Sequence, residues 1–269
     1  MELSCRLKDP ASSKSMLFRR ISEHVRAQNW AAVGIDFVIV VLGVLFALTA
    51  EQWMRDREQH AALVQVEAAL NRDLLTNLFA ARELKALAPC RKERVALLSQ
   101  LLEQDEVEWD GLPWSPHPGG FDTLLPELLP TPYRYWGSRT WTAEQQTSSL
   151  SKMDLALRRR LEGIFNGTIS ILAKQDQVFA AQSELRTLAM ERPISTSDRT
   201  RYLDALHYYD QQAGILELMA AGTLKELEEL TLTRDEFYVE EFGAYLKTYS
   251  EERIDRYGDC FTPFEMPFL

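Results

Sequence analysis

One ionisable side chain in this sequence stands where its chemistry needs explaining. Asp36 is the single charge within Trp30–Ala50, a stretch of 21 residues that is otherwise almost wholly apolar. On a helix it lies six residues, roughly 9 Å, past Trp30. A carboxylate in hydrocarbon is costly unless it is paired, hydrated or neutralised. A proton or ion path is one use for such a group. The structural alternative is a shallow carboxylate that draws in water, pairs with Arg26 or hydrogen-bonds a second helix. Either use engages the same surface, because Asp36, Val40, Gly43, Ala47 and Ala50 recur at steps of four, three, four and three and so share one helical face. Small residues on such a face let another helix approach closely.

The remaining chemistry-bearing residues give weaker patterns. Of three cysteines, Cys5 precedes the apolar stretch, and Cys90 and Cys260 follow it. An even pair in an exported region predicts a disulfide between Cys90 and Cys260. The four histidines, His24, His60, His117 and His207, have no metal-ligand spacing, so no metal site is expected. His207, between Asp204 and Asp210, reads as a solvated or capping residue. No Gly-x-Ser-x-Gly, phosphate-loop or dinucleotide glycine pattern occurs, and Pro118-Gly-Gly-Phe121 reads as a turn. The acid pairs Glu228–Glu229, Glu240–Glu241 and Glu251–Glu252 read as solvated helix faces. No catalytic or cofactor-binding residue is assigned, and a non-enzymatic protein without a cofactor is expected.

The element that must position Asp36 is the apolar stretch itself. About 20 helical residues cross about 30 Å of hydrocarbon, so Trp30–Ala50 is long enough to span a bilayer. It starts too late and runs too long for a cleaved signal, and Leu48-Thr49-Ala50 is a poor cleavage site, which predicts an uncleaved anchor. Six basic residues (Arg6, Lys8, Lys14, Arg19, Arg20, Arg26) precede it against three acidic ones, whereas Glu51–Glu58 is mixed in charge. The positive-inside rule puts the N-terminus in the cytoplasm, with Trp30 and Trp53 as interfacial anchors at the two ends. Residues 1–29 read as a cytoplasmic tail whose Met16–Gln28 segment is a basic amphipathic helix suited to anionic headgroups. Residues 30–53 are the transmembrane helix, and 54–269 the exported domain. That domain holds 24 Lys plus Arg against 35 Asp plus Glu, a formal charge near −11. Nucleic acid, which needs a basic face, is disfavoured as a partner.

Within the exported part the periodicity is helical throughout, predicting an all-α fold: a transmembrane helix continuing into an antiparallel bundle. Leu63, Val66, Leu70, Leu74, Leu78, Ala81 and Leu84 mark one long helix, with Pro89 expected to end it and a shorter one over Arg91–Gln104. Residues 105–141 hold six of eleven prolines and four of six tryptophans, which predicts a long irregular loop pinned by aromatic anchors. A capping box at Ser151–Asp154 opens a helix to about residue 190. Ser195–Asp198 opens another to about Leu230, and Thr233–Glu236 a last one to about Ile254. No segment alternates with period two, so strands are not expected.

The segment Arg26–Trp30, followed by Ile35–Leu48 and then Gln52-Trp53, resembles a group of uncharacterised bacterial single-pass inner-membrane proteins. In that group an acidic residue opens the span, a Gly-x-x-x-Ala run occupies its middle and a Trp closes it. Ala88-Pro-Cys90 and the region Trp141–Leu150 look like the same group's exported part. The resemblance implies an envelope protein with a helical periplasmic region and no known activity. The turn Thr49–Trp53 departs from it, since the group has Asn or Asp beside Gln there.

These readings converge on an inner-membrane interaction or scaffold protein. Its partners are the lipid bilayer and either a second copy or another envelope protein. A periplasmic small-molecule sensor acting through a partner is the second reading, and an ion-coupled accessory subunit using Asp36 the third. A deep polar cavity would favour the sensor; a filled core with an exposed apolar patch would favour the scaffold.

Overall fold

A computed structural model describes residues 30–104, 108–112, 128–147, 149–232 and 236–266; the amphipathic segment before Trp30 and the Thr233–Asp235 cap lie outside them. The described residues form an all-α fold with five α-helices: α1 Trp30–Leu102, α2 Arg139–Glu144, α3 Leu155–Leu185, α4 Thr196–Glu228 and α5 Glu236–Tyr257. The chain divides into two compact units, Met1–Gln59 and His60–Leu269.

In the first unit the described part is the start of α1. An 18-residue window reaches a mean hydropathy of 2.5 with none of it buried, so this helix is long and apolar enough to cross a membrane. Its side chains are exposed from Ala32 to Gln59. Most are aliphatic or small, and among the described residues no other segment covers them.

The second unit has an apolar core. Leu70, Leu74 and Leu78 of α1, Leu161 and Phe165 of α3, and Leu206 and Leu216 of α4 are among its buried members. Each large side chain removed from water in this way contributes about 1.5–3 kcal/mol. Helices α3 and α4 are antiparallel, as paired contacts along them record: Arg160 meets Glu229, Lys174 meets Gln212, and Thr187 meets Tyr202. The helix start expected at Ser195–Asp198 is made by a capping box, with the Asp198 amide donating to the Ser195 hydroxyl and the Ser195 amide to the Asp198 carboxylate.

Three expectations need correction. Pro89 does not end the first helix; it lies inside α1, which runs on to Leu102 without a separate element at Arg91. Proline removes one backbone hydrogen bond and crowds the preceding turn. Here the turn is held from outside, because the Thr262 amide donates to the Ala86 carbonyl at 3.2 Å and Cys90 is tied to Cys260. The cap of α3 is Asp154 itself, accepting from the Ala156 and Leu157 amides, rather than a box opened by Ser151. A two-residue antiparallel strand pair also exists, β1 Glu108–Trp109 against β2 Arg192–Pro193. It is too short to carry an alternating pattern.

Candidate functional site

The predicted interaction face is intact as a face. Asp36, Val40, Gly43, Ala47 and Ala50 all lie on α1 and are all exposed, and a Cβ built at Gly43 would meet no atom within 4 Å. Nearby polar groups are satisfied locally. The Thr49 hydroxyl donates to the Phe46 carbonyl at 2.9 Å, Glu51 pairs with Arg55, and the Arg57 guanidinium lies 5.6 Å from the Trp53 ring centroid. Trp53 is exposed; the Trp30 side chain lies outside the described residues.

Within the bundle a cluster of charge surrounds Glu83, a residue that periodicity alone passes over. Its carboxylate is fully buried. Arg134 donates to it through both Nε and Nη2, the latter at 2.8 Å, and the Tyr249 hydroxyl donates to Oε1. Arg253 stands 3.7 Å away. Phe79 and Tyr249 present ring faces to the Arg134 guanidinium, each centroid 5.7 Å from it. Burial, and then the adjacent Glu83 charge, push the Tyr249 phenol well above its usual range. The cluster joins α1, the 128–138 arm and α5, so its polar atoms are engaged in holding the protein's own segments together.

A second cluster joins α1 to α4. Arg91 donates to Glu217 at 2.6 and 3.2 Å and to Asp210. Arg94, further along, donates to the Leu128 carbonyl at 3.0 Å and to the Leu112 carbonyl, gripping both described ends of the proline-rich loop. Burial lowers the Arg94 guanidinium to about 10, so it keeps its charge at neutral pH.

The C-terminal arm of that loop is bound to the helices through amide side chains. Asn77 bonds both backbone groups of Gly137, accepting from its N–H at 2.6 Å and donating to its C=O at 2.9 Å. Gln175 does the same for Arg134, at 3.0 and 2.8 Å, and accepts from Trp136 Nε1. Gln182 donates to the Leu129 carbonyl. A Cβ at Gly137 would stand 2.7 Å from Asp73, so glycine is required for this close approach. Tryptophans pin the segment as expected. Trp109 Nε1 donates to Leu188 at 2.7 Å and Trp141 stacks on Phe165, while Trp114 lies outside the described residues. Asn77→Ala would strand the buried amide and carbonyl of Gly137. The expected loss is about 2 kcal/mol, read by chemical denaturation.

Cys90 and Cys260 stand at disulfide distance, with Cα atoms 4.8 Å apart. Cys90 is fully buried, and Leu87, Tyr257 and Phe261 form a small apolar cluster around the pair. Among the described residues no group of three or more His, Cys, Asp or Glu side chains could hold a metal, and His60 and His207 are both exposed.

The second unit also carries an open cavity of about 390 Å³. Its floor is Leu70, Leu74, Met153, Leu161 and Leu232, and its rim includes Val64, Glu67, Asn71, Leu157 and Thr231. Only the rim is polar. Periodicity places the leucines but cannot show that α1, α3 and the turn after α4 leave a space between them.

Comparison of the chain with protein-family models, curated proteins and solved structures finds no match.

Proposed function

We propose that this protein is a non-enzymatic interaction or scaffold protein of the bacterial inner membrane, held by the apolar start of α1 with the N-terminus in the cytoplasm and the helical domain in the periplasm. The span carries the interaction, joining a second copy of the chain through the Asp36–Val40–Gly43–Ala47–Ala50 face. The observation behind this is the open space at Gly43 on a wholly exposed apolar helix. An open backbone patch with Ala47 and Ala50 further along the same face suits close helix packing, which in lipid is driven by contact and hydrogen bonding rather than by water. The buried charges of the bundle support the non-enzymatic reading, since Glu83, Arg134 and Arg91 serve its internal joints.

The test is co-purification of two differently tagged full-length copies from membranes. Wild type is expected to co-purify, and Gly43→Leu to cut recovery of the second tag at least tenfold. Undiminished recovery from G43L would reject the face. Asp36→Asn is expected to keep association, because an amide hydrogen-bonds in the same place; loss of activity with association retained would favour the ion path. A periplasm-active reporter fused after Leu269 is expected to be active, and a silent one would reverse the orientation.

A further inference from the structure

We infer that the cavity between α1, α3 and the turn after α4 binds a single aliphatic chain whose head carries no net negative charge. The inference is separate from association through Gly43, and either can fail alone. The cavity, at about 390 Å³, falls in the range of small-molecule sites, about 300–1,000 Å³. Its buried floor consists of leucines and one methionine, and among the described residues no aromatic ring lines it. Flat aromatic ligands are commonly held by ring faces; flexible aliphatic walls suit an alkyl chain, and methionine adapts to an irregular one.

The polar rim selects the head. Glu67, Asn71 and Thr231 supply a carboxylate, an amide and a hydroxyl, and among the described residues no Lys, Arg or His lines the cavity. A fatty carboxylate or a phosphate monoester would meet the like charge of Glu67, on a chain of formal charge −10. A choline, amine or uncharged head meets no such repulsion. The source of such chains is the bilayer itself, if the apolar start of α1 is inserted as proposed. The cavity is too small for a helix of a partner protein, whose diameter with side chains is about 10–12 Å.

The probe is a monoacyl choline phospholipid with a diazirine in its chain, photoactivated with the full-length protein in nanodiscs, beside the matching diazirine fatty acid. Saturable labelling by the choline probe is expected within peptides spanning residues 64–74 and 153–161, several-fold above the fatty acid. Ala68→Trp, at an exposed lining position, fills the cavity and should lower that labelling at least tenfold while the melting temperature stays unchanged. Glu67→Lys should reverse the preference toward the fatty acid. Labelling confined to residues 30–53, or undiminished in A68W, would overturn the site. A wild-type preference for the fatty acid, or no reversal in E67K, would overturn the head-group assignment.

Discussion

Glu83→Ala is expected to destabilise the bundle by about 3–5 kcal/mol, the usual consequence of removing one partner from a buried ion pair. For a domain of this size that lowers the melting temperature by about 6–20 °C. The magnitude follows from what remains. Arg134 loses both of its carboxylate bonds, Tyr249 loses its acceptor and Arg253 its nearby charge, all around a fully buried carboxylate position beside Phe79. Tyr249→Phe removes one hydrogen bond to a charged group and should cost less, about 1.5–3 kcal/mol. Because Glu83 and Arg134 share bonds, E83A and R134A should be non-additive by at least about 1 kcal/mol in a double-mutant cycle. Additive effects in thermal or denaturant unfolding would show that the cluster does not act as one joint.

Removing the Cys90–Cys260 link, as the Cys90→Ser/Cys260→Ser double variant or by reductant, is expected to cost about 2–4 kcal/mol. The pair closes a segment with a sequence separation of 170 residues, so most of the bundle lies within the loop. The same link holds the tail whose Thr262 amide bonds the turn at Pro89. Weakening should therefore appear first as hydrogen exchange at Leu87–Arg91 and Phe261–Met266, ahead of global unfolding. Alkylation of both thiols without reductant in protein taken from membranes would contradict the pairing.

The features legible from sequence are those that depend on local pattern. The apolar stretch from Trp30, the helices α3 and α4 and the start at Ser195 all rest on local pattern, and the folded chain keeps them. What was not legible depends on partners distant in the chain. Pro89 reads as a helix end because its cost is local, whereas what offsets it arrives from Cys260 and Thr262, more than a hundred residues later. Periodicity passes over Glu83 because one apolar stripe on α1 suggests one buried face. Phe79, Ala80, Ala86 and Leu87 show that the helix is covered on a second face as well. The run Leu78-Phe-Ala-Ala81 was the available signal. Asn77, Gln175 and Gln182 are harder still, since an amide that binds a buried backbone has the same spacing as one facing water. That Asp36, Val40, Gly43, Ala47 and Ala50 share one helical face was legible at once, because five positions on one helix need no tertiary context.

The most direct measurement of the central proposal is a single-cysteine scan along the apolar start of α1 in native membranes, in a Cys5→Ser background, with oxidative crosslinking read as dimer yield. The account predicts yield peaking at positions 36, 40, 43, 47 and 50 and falling at 38, 41 and 45 on the opposite side. A flat profile, or peaks at 38, 41 and 45, would contradict association through the Gly43 face.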